Sequence, residues 1–505
     1  MRSFSQQVIK RLLKTGLAIS VGQGLAMLQQ LVLPPAYLYF YGIESFGAWL
    51  IISASIAQLG LLDFGLQTYV VNRLGALYHT GRHEELHRVQ AIAYRIVVSV
   101  AALAAIGLLP ILWLPVESWL KLSIPGTEVR ITMLFLALAI VSQIVLGQVI
   151  GIYRVIGLAH RAQHWGNILK AAVLTASLGL ISFRVSFAWL GAAQLALSLL
   201  TLAAALRDVR RTTPEFAPRF DYWDRAAAWS LIKPSLFFGL GVLNNFLLFE
   251  VPLLILQRIA GPVAVVTFAT TRTLFSAGRQ LLTPIQYALI PEITRLYAVG
   301  DQPRLQELHR ISEAVALVGG LALNLALALG SGAIMTFWLH GRVTPESGLI
   351  ALMAVIGLAS LHRESKYLFQ LATNHHERNL VFMSVCYVVM GVTGGVLCSA
   401  LRERGMALAW LAAELVIVGF LARENGRLLT RRVLWSPAVG LALVAGTYVL
   451  LHFSLAAVGS AAGPAQLMLA FTASLAVATI GFFTWGRALQ PAFARLSSHF
   501  FPERG

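Results

Sequence analysis

The sequence is poor in charged residues and in cysteine. Only 12% of its 505 residues are charged, whereas 57% are hydrophobic, and the mean hydropathy is +0.73. A chain with so few polar residues cannot cover a soluble core of this size, so a soluble globular protein is excluded. Apolar segments of about 20 residues recur along the chain, and each can cross about 30 Å of hydrocarbon. The sequence therefore predicts an all-α polytopic membrane protein.

The cysteines and the lack of a phosphate-binding loop narrow the chemistry further. Cys386 and Cys398 lie on one predicted helix, about 18 Å apart along its axis, so they cannot form a disulfide with each other. The chain has no G-x-x-x-x-G-K-[ST] loop. We therefore expect no ATP hydrolysis and no cofactor, and energy would come from an ion gradient, the membrane potential or the cargo gradient.

Acidic residues are scarce: 22 against 39 Lys and Arg, a formal charge of +17. A basic balance can indicate a nucleic-acid partner, but the position of the charges argues against one. With the N-terminus inside, most of the Lys and Arg residues lie in the predicted cytoplasmic segments and about 7 lie in external ones. We therefore expect cytoplasmic termini, contact with membrane lipids and no nucleic acid. The predicted spans are residues 17–41, 46–72, 91–114, 131–153, 168–183, 186–206, 235–256, 262–290, 311–337, 347–371, 380–400, 406–422, 438–457 and 465–485.

The segments outside the spans predict the domain organisation. Residues 1–16 alternate apolar and basic residues, which indicates an interfacial amphipathic helix. Residues 207–234, rich in Arg and Pro, form a predicted cytoplasmic linker. This linker joins a six-helix lobe at 17–206 to a second one at 235–424, and 425–505 hold an extra helix pair and a cytoplasmic tail.

Two stretches of the chain repeat each other. Residues 42–88 and 261–310 share an apolar segment followed by a polar run that ends in Glu-Leu-His-Arg. Six spans separate the copies, so both cross the membrane in the same direction, and the lobes are predicted to be related by a pseudo-two-fold axis along the membrane normal. At an offset of 219 the matched positions are Gly42 and Gly261, Tyr78 and Tyr297, and Gly81 and Gly300.

The first span of each lobe carries prolines near its outer end. Pro34-Pro35 remove backbone donors from the first span and are expected to bend or break it. The seventh span has Asn244-Asn245, Glu250 and Pro252 in the matching place. Polar, discontinuous helices in corresponding positions of two halves indicate a transport site, so both asparagines are candidate substrate-binding residues.

Three short runs carry a resemblance to a known family. Residues 42–47 (Gly-Ile-Glu-Ser-Phe-Gly) and 61–66 (Leu-Leu-Asp-Phe-Gly-Leu) resemble the opening signature of the polysaccharide-transporter branch of the multidrug/oligosaccharidyl-lipid/polysaccharide flippase superfamily. Residues 261–293 are similar to its second signature. The resemblance implies two six-helix lobes around a central cavity, alternating access, a bacterial inner-membrane location and a polyprenyl-diphosphate-linked oligosaccharide as cargo.

The cations inside the predicted spans include Arg272, Arg279, Arg363 and Lys366. Each would cost about 2.5–3.5 kcal/mol if it faced lipid, so the sequence predicts a protein-lined, hydrated interior. Guanidinium groups match phosphate oxygens in geometry and stay charged at cellular pH. We expect these four residues to bind the diphosphate of the cargo, Arg272 and Arg279 foremost. The alternative is that they pair with acids, for which the candidates are Asp63, Glu250, Glu364 and Glu414.

Three carboxylates within spans, Asp63, Glu250 and Glu414, are candidates for ion coupling or gating by a proton or sodium. Asp63 alternatively holds a helix turn. One motif is set aside: His83-Glu84-Glu85-Leu86-His87 has the H-E-x-x-H spacing of zinc enzymes. Its repeat copy has Leu305 in place of the first histidine and no third ligand follows, so no metal is expected.

The sequence thus favours a flippase for a lipid-linked oligosaccharide or polysaccharide precursor. One alternative is a cation-coupled exporter of drugs or metabolites on the same scaffold, dominated by a carboxylate site. Another is a membrane-embedded polysaccharide polymerase or ligase. Such enzymes need a large external loop, and the longest external gap here, residues 115–130, is short.

Overall fold

The computed structural model describes residues 2–344 and 346–429, and this part of the chain is helical with no strand. Ten helices within it are long and apolar enough to cross a membrane. The predicted all-α, multi-pass fold is confirmed. The predicted spans 438–457 and 465–485 lie outside the described residues.

The chain forms two compact units, one up to Arg258 and the other from Ile259 onward. Their helices, in chain order, are α1 Arg2–Phe40, α2 Ile43–Ala57, α3 Leu66–His79, α4 His83–Leu108, α5 Val116–Trp119, α6 Gly126–Val155, α7 Ala159–Ser182, α8 Phe187–Thr212, α9 Arg225–Phe249 and α10 Val251–Ala260, followed by α11 Pro262–Tyr287, α12 Ile290–Ala298, α13 Gln302–Trp338, α14 Ser347–Ala372 and α15 Glu377–Leu428. Short 3₁₀ segments lie at Gln58–Asp63, Leu109–Leu112 and Pro214–Phe216.

Each of the twelve predicted spans between residues 17 and 422 is largely helical, and some are interrupted. Two explanations account for twelve predicted spans against ten apolar helices. The predicted span 262–290 corresponds to α11, which carries two arginines and is less apolar than the ten. The two spans 380–400 and 406–422 are two helices that meet at a kink at Arg402, whose φ is 50°, and they are counted together as α15.

The backbone bears out the internal repeat. Gly42 and Gly261 both have φ of 84°, and each precedes the first residue of a helix. Gly81 and Gly300 both have φ of 72° and also lie just before helix starts. A side chain is strained at such φ values, so both copies need glycine at these two turns. The same turns therefore recur at the same positions of the two units.

The prolines act differently in the two units. Of the expected bend or break at Pro34-Pro35, the break does not occur, because α1 continues to Phe40 with both prolines inside it. Two prolines near a helix end cost few hydrogen bonds, and in apolar surroundings a helix that opened further would leave more groups unsatisfied. The break in the seventh span is confirmed: α9 ends at Phe249, and α10 starts at Val251 with Pro252 in its first turn.

The α15 interruption depends on a glycine. After Arg402 the helix turns so that Gly405 packs against the preceding segment, and a Cβ there would lie 2.5 Å from the carbonyl carbon of Leu397 and 2.8 Å from Cys398 N. Backbone cannot move aside as the end of a flexible side chain can. Gly405 therefore permits the close approach of the two parts of α15.

We expect Gly405→Ala to lower the free energy of unfolding by about 1–3 kcal/mol, as overpacking commonly does. Thermal unfolding of the purified protein in detergent measures the change. The matched control is Gly419→Ala in the same helix, where a Cβ meets nothing within 4 Å; that change should be neutral or slightly stabilising. Equal melting temperatures for the two variants would contradict the packing argument.

Within the second unit α14 is the central helix. It packs against α11, α12, α13 and α15, and most of its side chains are buried. A helix enclosed on several faces is expected to be apolar throughout. The C-terminal half of α14 departs from this rule, since residues 362–366 read His-Arg-Glu-Ser-Lys. The candidate site is built around this stretch.

Candidate functional site

Buried charges in the second unit form a chain of alternating sign across three helices. Arg363 Nε on α14 donates to Glu414 Oε2 on α15 at 2.8 Å, and Glu414 is fully buried. The indole Nε1 of Trp410 donates to the other oxygen, Oε1, at 3.1 Å. Both oxygens of Glu414 are thereby satisfied, which a buried carboxylate requires.

The chain continues through Glu364 to α11. Arg279 forms an ion pair and hydrogen bond with Glu364, and Thr283 Oγ1 donates to Glu364 Oε2 at 3.3 Å. Arg363 Nη2 lies 3.9 Å from Glu364 Oε1, so this carboxylate stands between two guanidinium groups. We refer to Arg279, Glu364, Arg363 and Glu414 as the charge chain.

A second buried group lies next to it and joins α13, α14 and α15. Lys366 on α14 forms an ion pair with Glu313 on α13, and both side chains are almost completely buried. His309 Nε2 lies 3.6 Å from Glu313 Oε1. Gln370 and Asn425 complete this set through hydrogen bonds described below. We refer to His309, Glu313, Lys366, Gln370 and Asn425 as the histidine cluster.

The structure thus shows the pairing alternative for Arg279, Arg363 and Lys366. Arg279 and Arg363 pair with Glu364 and Glu414, two of the acids that the sequence offered as partners. Lys366 pairs with Glu313, which the sequence analysis missed. The signal was present, because Glu313 is an acid inside the predicted span 311–337, the criterion that selected Glu414. The fourth cation, Arg272, lies half-buried on α11, seven residues before Arg279.

The remaining predicted site residues lie in the first unit. Asn244 is buried and Asn245 is exposed on α9, and Glu250 is half-buried between α9 and α10. Asp63 ends a 3₁₀ segment, and its Oδ1 accepts a hydrogen bond from Gln67 N at 3.3 Å. Asp63 therefore binds the first turn of α3, which corresponds to the alternative that it holds a helix turn.

A small cavity adjoins Asp63. Its volume is about 100 Å³, and it is lined mainly by apolar side chains of four segments, with Asp63 and Ser235 as its polar members. Phe64 and Gly65 follow with φ of 47° and 67°, and the backbone of Phe64 would lie 3.2 Å from a Cβ on Gly239. The second span is therefore interrupted where an acid meets a cavity, a feature that the hydropathy pattern did not indicate.

Comparisons with known proteins agree on the fold. No family model and no curated protein sequence matches this chain. An inward-facing multidrug resistance MATE family transporter of the MOP superfamily matches with a TM-score of 0.66 at 13% identity, covering 86% of this chain and 98% of that one.

Two further solved structures extend the comparison. The lipid II flippase MurJ in an inward closed conformation gives a TM-score of 0.66 at 11% identity, covering 94% of this chain and 99% of that one. A mutant of the Vibrio cholerae MATE transporter VcmN gives 0.61 at 13% identity, covering 84% and 99%. The chain is therefore a multi-pass membrane protein with the fold that these MATE transporters and the MurJ flippase share.

Proposed function

We propose that this protein is a flippase that moves a polyprenyl-diphosphate-linked oligosaccharide or polysaccharide precursor across the bacterial inner membrane by alternating access. The fold supports a transporter or flippase. The choice of an anionic cargo rests on one observation: in the membrane helices of the second unit, cations outnumber carboxylates. Residues 262–287, 311–338, 347–372 and 406–422 contain four cations, against the carboxylates Glu313, Glu364 and Glu414. This positive excess favours an anionic headgroup.

Arg279 can leave the charge chain at a small cost in free energy. When Arg279 turns to a diphosphate, Glu364 keeps the Thr283 hydroxyl and gains a closer contact with Arg363, which already lies 3.9 Å away. No carboxylate is then left buried without a partner, which would otherwise cost several kcal/mol. Arg279 is also reachable, since 20% of its side chain is exposed. In this proposal Arg272 and Arg279 hold the diphosphate while the polyprenyl tail stays in lipid.

The experiment is a sided assay with the full-length protein in vesicles containing a defined lipid-linked oligosaccharide. A membrane-impermeant glycosidase reports which headgroups face outward. We expect translocation that depends on the protein and accelerates under an imposed pH or sodium gradient or a membrane potential. Empty vesicles are the control. Absence of translocation by correctly inserted protein would refute the proposal, and turnover of the lipid in detergent, without a second compartment, would instead indicate a polymerase or ligase.

A cation-coupled exporter of drugs or metabolites is the second candidate, favoured by Asp63 beside the cavity of the first unit. A carboxylate at a cavity can bind a cation or take up a proton. This function predicts that an expressing strain resists cationic dyes and that Asp63→Asn abolishes the resistance. Normal dye sensitivity in a strain with abundant protein would argue against it.

A further inference from the structure

The histidine cluster contains a side chain whose protonation state is set by its neighbours. Gln370 Nε2 donates to Asn425 Oδ1 at 2.6 Å, which fixes that amide oxygen as an acceptor. Asn425 Nδ2 donates to the backbone carbonyl of Lys366 at 3.0 Å. The Asn425 amide is thereby held in one orientation by two independent hydrogen bonds, one at each of its ends.

This orientation determines the state of His309. Its Nε2 lies 3.1 Å from Asn425 Nδ2, a group that can only donate. Nε2 must therefore accept, so it carries no proton and the imidazole is neutral. The phenyl ring of Phe369 packs edge-on against the imidazole at 4.7 Å between centroids, which limits movement of the ring.

The same nitrogen faces a carboxylate. Nε2 lies 3.6 Å from Glu313 Oε1, the oxygen that also binds Lys366. A proton added to Nε2 changes this nitrogen from an acceptor to a donor. It then loses the hydrogen bond from Asn425 Nδ2 and can form an ion pair with Glu313. Two cations then compete for one carboxylate. The charge of His309, Glu313 and Lys366 together rises from zero to +1.

A net charge is expensive at this place. The side chains of His309, Glu313 and Lys366 are 4%, 2% and 1% exposed. An unbalanced charge in such surroundings lacks the solvation that water would supply. Protonation therefore destabilises the closed cluster relative to any conformation in which water or an anion reaches Lys366.

The other charged and titratable groups near His309 are few. Glu313 lies on its own helix, and Lys366 and His362 lie on α14, where His362 Nδ1 is buried and makes no hydrogen bond. The facing residue of α15 is the uncharged Asn425, and α12 contributes Ile293 and Leu296 to the adjoining apolar core. Glu313 and Lys366 are thus the charges whose removal should change proton binding most.

We propose that His309 Nε2 is a proton-binding site, at which one proton transfers Glu313 from Lys366 to the imidazolium and makes Lys366 available to an anionic headgroup. Chemically the step is the uptake of one proton and the exchange of one ion pair, and no covalent bond other than N–H forms or breaks. The inference rests on the proposed function in one respect: the proton would be its coupling ion.

The first copy of the repeat contains a histidine, His87, that can be compared with His309 in the second copy. His87 on α4 occupies the same place in Glu-Leu-His-Arg, but the residue four positions later is Ala91, where the second copy has Glu313. His87 lies half-buried, with its ring 5.9 Å from that of Phe216. A histidine at this position is thus common to both copies, and the acid beside it is particular to the second. His87→Gln is therefore a matched control.

The direct test is nuclear magnetic resonance of the full-length protein in lipid nanodiscs with ¹⁵N-labelled histidine, titrated from about pH 9 to about pH 5. We expect one Nε2 signal, absent in His309→Gln, to be unprotonated at high pH and to gain a proton only toward the acidic end of the range, because burial and Lys366 disfavour the imidazolium in the closed cluster. Glu313→Gln should lower the midpoint by about one pH unit or more, and Lys366→Met should raise it by a similar amount. His87→Gln should leave it unchanged.

Opposite shifts in Glu313→Gln and Lys366→Met identify the resonance even if His309→Gln does not fold. A His309 Nε2 that is protonated at every pH, or one that never gains a proton in either the wild type or Lys366→Met, would overturn the proton site. The proton site would also be overturned if the titration midpoint of His309 moved in the same direction in Glu313→Gln and in Lys366→Met.

A vesicle assay separates this inference from the proposed function. Under an imposed pH gradient, His309→Gln should still translocate lipid-linked sugar but lose the acceleration that the wild type shows. Acceleration equal to that of the wild type would overturn the coupling role. If the wild type translocates no lipid-linked sugar while His309 titrates as expected, the proton site stands and the proposed cargo is wrong.

Discussion

Replacing Arg272 and Arg279 together by glutamine is expected to abolish export of the lipid-linked sugar while the protein remains normally abundant. Glutamine keeps hydrogen-bonding capacity but removes both charges that would hold the diphosphate in the membrane interior. Loss of charge-assisted, bidentate contacts to two phosphates should reduce transport by at least about 100-fold, the equivalent of about 3 kcal/mol. Complementation of a polysaccharide-export strain and the sided vesicle assay both measure the effect.

The ion pair with Glu364 provides the decisive control for this prediction. If Arg279 served only to neutralise Glu364, then Arg279→Gln/Glu364→Gln would restore export, because neither partner would remain charged. We expect the double variant to stay inactive. Arg295→Gln on α12 is the matched arginine control, since Arg295 is exposed and pairs with Glu292 on the same helix. Retained export in Arg272→Gln/Arg279→Gln would show that the cargo is bound elsewhere.

Arg363→Met is expected to cause a large loss of stability in the second unit, about 3–5 kcal/mol in the free energy of unfolding. The change leaves the fully buried carboxylate of Glu414 with the Trp410 indole as its remaining hydrogen-bond partner among the described residues. A buried charge without its counter-ion costs far more than the pair itself contributes. Reversible unfolding in mixed detergent micelles, followed by tryptophan fluorescence, measures the loss.

The double variant Arg363→Met/Glu414→Leu should recover most of that stability, because it removes both charges and keeps apolar volume. A surface pair serves as the control: Arg404 pairs with Glu346 but its side chain is 53% exposed, so Arg404→Met should change stability little. A double variant as unstable as Arg363→Met would mean that packing of the methionine, rather than the orphaned carboxylate, causes the loss.

Features that depend on local sequence were predictable. Hydropathy over about 20 residues located the twelve spans within the described chain, because any segment crossing hydrocarbon must be apolar and must satisfy its own backbone. The glycines Gly42 and Gly261 marked equivalent turns, since positive φ selects glycine at single positions. Pro252 marked the break after α9, because proline lacks a backbone N–H and interrupts a helix.

Predictions from local sequence failed where the course of the backbone depends on more than one segment of the chain. Pro34-Pro35 did not break α1, because the membrane-like apolar surroundings favour keeping the remaining backbone hydrogen bonds within the helix. The interruption at Phe64 and Gly65 was not signalled by hydropathy, which stays apolar through that stretch. There the close approach of Gly239 on α9 accompanies the change in backbone direction.

The sequence by itself determined the class of this protein, the twelve spans within the described chain, the repeat, and the presence of cations within apolar spans, where an unpaired charge is costly. Only the tertiary structure decided which acid each cation meets. Glu313, Glu364 and Glu414 pair with Lys366, Arg279 and Arg363 because particular faces of α11, α13, α14 and α15 are turned toward one another. Helical periodicity fixes which residues share a face, but which faces meet depends on the packing of helices that are distant in the chain.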